Sequence, residues 1–239
     1  MQIRLKHIEG YQYVGLFGVL VGVMFIHPYL PSGGEYLSDR VNHLILGGLV
    51  ALIPAMAIIA LVEHRGMMII AVALGIPATA SLLNEGLGDP LGGGILTRVA
   101  PLAFYLFATA VICYHVVSER RVQIDTLFGA ICGYLMLGYT WSWAYGTLIY
   151  AEPDSFASTY QLDDGGTGLF YFSFVTLTTL GYGDVVPLTA QARSLAMMES
   201  ITGVLYLAVL VSRLVAMYGS TERERSLRQA LADERDKRS

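Results

Sequence analysis

The residues with the most specific chemistry run Thr176-Leu177-Thr178-Thr179-Leu180-Gly181-Tyr182-Gly183-Asp184. What this stretch offers is its backbone. A dehydrated cation needs a cage of oxygens in place of its water, and consecutive carbonyls supply one if all turn toward a single axis. Residues with a Cβ resist the angles this demands, so Gly181 and Gly183 stand where φ > 0 is tolerated. Thr179 adds a hydroxyl and a carbonyl at the inner end, and Tyr182 is expected to wedge the stretch against the helix before it. A glycine turn in an extramembrane loop can have a similar spelling. The apolar, aromatic run Leu169-Phe170-Tyr171-Phe172-Ser173-Phe174-Val175 just before it argues against a turn, as do the long hydrophobic segments on either side.

The elements that position this stretch follow from composition. Of 239 residues, 54% are hydrophobic and 14% charged, and the mean hydropathy is +0.55. Soluble domains carry about 25% charged residues, so the chain reads as an integral membrane protein. Six segments have the length and apolarity to cross a bilayer, near Tyr13–Leu30, His43–Val62, Met67–Leu83, Val99–Val117, Ile124–Tyr150 and Gln191–Tyr218. The third is the shortest. Pro54, Pro77 and Pro101 are expected to kink their helices. A seventh apolar piece, Gly168–Thr179, is too short to span and reads as a re-entrant helix buried by protein. Arg4 and Lys6 ahead of the first segment fit a signal peptide, but His27-Pro28-Tyr29 follows in place of a small-residue cleavage site, and an uncleaved helix is expected. Cys113 and Cys132 lie in apolar segments and read as free, buried thiols.

Basic residues set the topology. With the N-terminus inside, Arg4, Lys6, Arg65, Arg120, Arg121, Arg213 and the six Lys/Arg beyond position 220 fall on the cytoplasmic side, leaving Arg40, Arg98 and Arg193 outside. Both termini are then cytoplasmic, and the glycine-rich stretch lies toward the outer face. The motif played no part in that derivation.

From about Ile124 to Tyr218 the chain resembles the pore module of the tetrameric potassium channels: outer helix, turret, pore helix, selectivity filter, inner helix. The filter spelling T-L-G-Y-G-D carries the resemblance. It implies that carbonyls of Thr179, Leu180, Gly181 and Tyr182, with Gly183 and the Thr179 hydroxyl, line K⁺ sites, and that Asp184 stands at the outer mouth. Leu180 stands where Val or Ile is commoner. The family likeness also implies that four copies close the ring and that the pore helix aims its negative dipole end at the cavity. Turret acids Glu152, Asp154, Asp163 and Asp164, with Asp184, either enrich cations at the mouth or are simply solvated. Six segments with a pore loop resemble the voltage-gated layout, but a sensor repeats Arg or Lys at every third position of its fourth helix. Val99–Val117 has none.

Several residues of the last segment are gating candidates. Gly203 is either a hinge, as in family members, or a site of close helix packing. Val204, Leu207, Ala208, Val211 and Val215 share a face that would line the inner pore, while Tyr206 and Leu210 would turn to other helices. A carboxyl within a membrane helix is expensive and marks a functional site. Glu199 is such a group, and a hydrogen bond to a pore-helix Thr or to Ser173 would satisfy it, either as a brace behind the filter or as a proton-sensitive gate. His27, Glu35, Asp39 and His43 in the outer loops are either sensors of pH or metal, or solvated polar groups. In the charged tail, Thr221 with Glu224 fits a capping box and Glu224 with Arg228 an i,i+4 pair. Leu227 and Leu231 give a weak coiled-coil stripe. The tail is too short for the usual cytoplasmic ligand-gating domain.

The expected architecture is an all-α membrane protein of six transmembrane helices with a re-entrant pore helix and filter, assembled as a homotetramer. Residues 1–118 would form a four-helix domain, 119–219 the pore domain and 220–239 a short cytoplasmic tail. The expected function is passive, potassium-selective conduction across the plasma membrane without arginine-based voltage gating. The alternative is a non-selective or non-conducting membrane sensor on the same fold. The expected partners are K⁺, lipid and three further copies of the chain. No cofactor, nucleic acid or enzyme chemistry is expected, since the chain has no paired intramembrane carboxylates, metal-ligand spacing or nucleophile–base set.

Overall fold

Inside a bilayer every backbone N–H and C=O must be paired within the protein, so long apolar runs become helices. A computed structural model describes residues 12–26, 39–60, 65–86, 94–119, 124–158 and 167–236. In order these form α1 (Gln12–Ile26), α2 (Asp39–Ala60), α3 (Arg65–Gly86), α4 (Ile95–Ser118), α5 (Ile124–Ala151), β1 (Phe156–Ser158), α6 (Thr167–Leu177), β2 (Val185–Pro187) and α7 (Ala190–Asp236). Among the described residues, three stretches have both the length and the apolarity to cross a membrane: Gly66–Asn84, Ile95–Ser118 and Ala190–Arg213. The apolar parts of α1 and α2 are shorter, at Tyr13–Ile26 and Gly47–Ala60.

The helices depart from the expected segments in informative ways. The third segment, expected to be short, is a 22-residue helix that continues past Pro77. Pro54 and Pro101 likewise lie inside α2 and α4. The last helix continues past the sixth segment into the charged tail, a continuation that the tail's helical pairings allow, and runs unbroken for 47 residues. At 1.5 Å per residue that is roughly 70 Å, more than twice the hydrocarbon thickness of a bilayer. The two three-residue strands, paired antiparallel with Phe156 opposite Pro187 and Ser158 opposite Val185, were not foreseen. The expectations placed on Arg4, Lys6, His27, Glu35, Arg120, Arg121, Asp163 and Asp164 lie outside the described residues, as do the side chains of Asp39, His43 and the tail.

One buried cluster joins α1 to α5: Leu16 and Leu20 of α1, Ile53 and Ala57 of α2, Ala71 and Ala78 of α3, Phe104, Tyr105 and Ile112 of α4, and Cys132, Met136 and Tyr139 of α5. The helix α5 is therefore part of the same core as the four helices before it. Tyr105 stacks on Tyr139 at 5.8 Å and on Trp143 at 6.4 Å between ring centroids. Its hydroxyl is the one buried side-chain polar atom without a hydrogen-bond partner among the described residues. Thr109 and Thr140 hydroxyls meet at 3.1 Å across α4 and α5. The seat of α1 on α5 is polar as well as apolar. Asp125 accepts from the Tyr13 N–H at 3.1 Å, the Cys132 thiol donates to the Tyr13 carbonyl at 3.4 Å, and the Tyr139 hydroxyl donates to the Leu20 carbonyl at 3.2 Å.

Candidate functional site: a carbonyl-lined filter held by a short helix

The short α6 sits against α5 and α7. Phe170 and Phe174 on one side pack on Tyr139, at 4.9 and 6.1 Å between centroids. Phe174 lies so close to α5 that a Cβ on Gly138 would come within 2.5 Å of its ring. A small residue at this crossing lets the two helix backbones approach. On the other side Phe172 joins Tyr145 and Phe156 in a second cluster with Leu169, Val185 and Ala192. This cluster anchors the chain leaving the filter, since β2 pairs with β1 and the Leu188 N–H donates to the Ser155 carbonyl at 2.8 Å.

A helix C-terminus leaves four carbonyls without intrahelical partners. In α6 each of the last four finds a donor. The Phe174 carbonyl takes the Thr178 N–H, that of Val175 takes the N–H groups of Leu180 and Gly181, and that of Thr176 takes the Thr179 N–H. The Leu177 carbonyl takes the Tyr134 hydroxyl at 3.2 Å. Two of these bonds decide the filter. In a trans peptide the N–H points opposite to the preceding carbonyl. With the Leu180 and Gly181 N–H groups turned back to Val175, at 2.9 and 3.3 Å, the carbonyls of Thr179 and Leu180 must point away from α6, toward the open side.

The backbone continues that pattern. Thr179, Gly181 and Gly183 have φ of 60°, 56° and 79°. Left-handed residues alternating with ordinary ones at Leu180 and Tyr182 keep successive carbonyls on one side instead of alternating them. Thr179 is the only non-glycine residue with positive φ among those described. Such a conformation is strained by about 1–3 kcal/mol and persists where the surroundings over-determine it, typically at functional sites. A Cβ at Gly181 or Gly183 would meet open space, so glycine is needed there for its φ and not for room.

The flanks of the filter are fixed by side chains. Asp184 accepts from the Tyr171 hydroxyl at 2.8 Å and from the Val185 N–H at 3.1 Å, so it ties α6 to the start of β2. Glu152 and Asp154, half-buried and exposed, stand just before β1, the strand that pairs with β2. Behind the filter Glu199 is fully buried. Its two carboxyl oxygens lie 2.5 Å from the Ser173 and Tyr145 hydroxyls. The expected Ser173 contact is present, and Tyr145 is a partner that sequence reading missed. The missing signal was the count of donors, because a buried carboxyl needs one for each oxygen. Tyr182 does not wedge against α6. It is 68% exposed and makes no ring contact among the described residues.

Comparison with known proteins gives this geometry a context. A family model described as an ion channel matches residues 126–219. A 47-residue stretch is 47% identical to the two-pore potassium channel 4 of Arabidopsis thaliana, covering 20% of this chain and 16% of that one. An 80-residue stretch is 36% identical to the A-type voltage-gated potassium channel KCND3 of Rattus norvegicus and of Homo sapiens, covering 32% of this chain and 12% of theirs. Residues 126–219 are thus similar to ion channels, and the relatives named are potassium channels of which the chain spans less than a fifth. No solved structure matches the chain.

The matched segment takes in nearly all of α5, all of α6 and the glycine-rich stretch after it, and α7 as far as residue 219, while α1 to α4 precede it. Within it, Gly203 is buried, and a Cβ there would fall 2.4 Å from the Leu177 carbonyl oxygen. Close approach of α7 to the end of α6 is thus sufficient reason for a glycine. Tyr206 donates to the Ala130 carbonyl at 2.5 Å, and Leu210 is half-buried against the core, so both turn to other helices as expected. Val204, Leu207, Val211 and Val215 are exposed, at 53%, 44%, 58% and 67%.

Proposed function

We propose that the chain is one of four identical subunits of a potassium-selective channel. Carbonyls of Thr179, Leu180, Gly181 and Tyr182 bind dehydrated K⁺, and Asp184 stands at the outer mouth. The observation that carries this reading is the alternation of left-handed φ at Thr179, Gly181 and Gly183, together with the two N–H groups anchored on Val175. One chain offers only one wall of a cage, and the exposure of Leu180 and Tyr182 supports closure of the ring by further copies. The same holds for the exposed face of α7, on which Val211 and Val215 would line the inner pore and Gly203 would set the packing of the gate. Six spans with both termini cytoplasmic, in a plasma membrane, complete the proposal. Conduction is passive, and α4 lacks the basic series of a voltage sensor.

The test is ion flux from liposomes holding purified protein, with K⁺ compared against Na⁺ and Ba²⁺ as blocker, alongside the mass of the detergent-solubilised particle. A Ba²⁺-sensitive flux favouring K⁺ from a four-chain particle is expected. Equal K⁺ and Na⁺ flux would move the reading to a non-selective pore, and a monomer would remove it.

A further inference from the structure

Glu199, Ser173 and Tyr145 are each fully buried, and they come from three different helices. Their contacts can be counted as protons. Tyr145 lies 2.5 Å from Oε2 of Glu199, Ser173 lies 2.5 Å from Oε1, and Ser173 also lies 2.8 Å from the Gly138 carbonyl oxygen. Three oxygen–oxygen contacts need three protons. The two hydroxyls bring one each, and a carbonyl brings none. With an ionised carboxylate, one contact would place two buried lone-pair oxygens face to face. A third proton on Glu199 completes the chain: Tyr145 donates to Glu199, Glu199 to Ser173, and Ser173 to the Gly138 carbonyl.

Charge leads to the same state. A carboxylate taken out of water is strongly disfavoured without a cation, and no cation pairs with Glu199 among the described residues. The other titratable groups on the elements packed against it, among the described side chains, have partners of their own. On α5, Tyr134 donates to Leu177, Tyr139 to Leu20 and Cys132 to Tyr13, and Asp125 holds the Tyr13 N–H. On α6, Tyr171 donates to Asp184. On α7 itself, Tyr206 donates to Ala130, Arg193 to Pro187 and Arg213 to Glu119.

We propose that Glu199 carries its proton and is a positioning residue for the filter, the middle link of a Tyr145–Glu199–Ser173–Gly138 chain that pins the pore helix between the outer and inner helices. The role in conduction rests on the channel reading above, whereas the protonation does not. Ser173 lies two residues before Val175, whose carbonyl anchors the filter, so loosening the chain frees the element that aims the carbonyls.

Infrared difference spectra of wild type and Glu199→Gln in bilayers at neutral pH test the proton directly. A carbonyl band of an undissociated carboxylic acid, present in wild type and lost in the variant, is expected. Its absence, with a carboxylate signal lost instead, overturns the proposal. Flux tests the positioning. Gln keeps a donor for Ser173 and an acceptor for Tyr145, so Glu199→Gln should retain the K⁺ over Na⁺ preference and keep it into alkaline pH. Wild type should lose preference there as its proton leaves. Glu199→Met, which can neither donate nor accept, should lose preference roughly tenfold or more, the scale of a buried hydrogen bond left unmade. An unaltered Glu199→Met channel, or a wild type as indifferent to alkali as Glu199→Gln, overturns the positioning role. An infrared band in a protein that passes no ions would sink the channel reading and leave the protonation standing.

Discussion

The bundle of α1 to α5 and the pore end of α6, filter and α7 are built on opposite terms. In the apolar windows of α3 and α4, 28% and 39% of the residues are buried within the single chain, against 11% in α7. The bundle completes its own core, with Leu16, Ile53, Ala78, Phe104, Ile112 and Met136 packed together. The pore end leaves Met197, Ile201, Val204 and Val211 exposed on a helix that is apolar nearly all round, and it leaves the filter open. Lipid can cover apolar side chains, but it cannot serve an exposed, strained backbone such as that at Thr179–Gly183. The first region buries more of its apolar surface within the single chain than the second does.

Three substitutions would break or sharpen that contrast. The largest effect is expected from Gly181→Ala. Its Cβ meets nothing, so the bundle should melt as in wild type. A left-handed alanine costs roughly 1–2 kcal/mol in every copy and turns a carbonyl off the axis, so K⁺ flux should vanish in the liposome assay. Retained flux would show that the alternating φ is not what conducts. Next is Gly203→Val, at the seam between α6 and α7. Its side chain would drive into the Leu177 carbonyl, and an overpacked contact of this kind costs about 1–3 kcal/mol. Chemical denaturation should show the loss; undiminished stability would mean that α7 is free to move, as a hinge requires. The smallest is Tyr105→Phe in the bundle. Removing a buried hydroxyl that has no partner should leave stability unchanged or raise it by up to ~1 kcal/mol. A clear loss would reveal an acceptor that the folded bundle supplies only in the membrane.

How much of this was legible beforehand varied with the range of the interaction. The left-handed turns at Gly181 and Gly183 could be read from the sequence because their chemistry is local: glycines at alternate positions license angles that few other residues tolerate. The left-handed φ of Thr179 could not, since threonine has no preference for it and only the anchoring of Leu180 and Gly181 on Val175 imposes it. Glu199 was conspicuous as a carboxyl in an apolar run, and Ser173 was named among its possible partners. Tyr145, 54 residues away in sequence, was one tyrosine among many until α5 brought it to Oε2. The strand pair beside the outer mouth left no periodic signal in three residues a side.

By itself the sequence determined the apolar segments, the missing basic series in the fourth helix and the two glycines that take left-handed φ. All of these depend on residue type and short spacing. Tertiary structure decided that α5 shares its core with α1 to α4, that Gly203 is needed where α7 meets the end of α6, and that Glu199 meets hydroxyls from two other helices. These are meetings of residues far apart in the chain. No local preference encodes them, because which partner a buried donor finds is set only when the helices have packed.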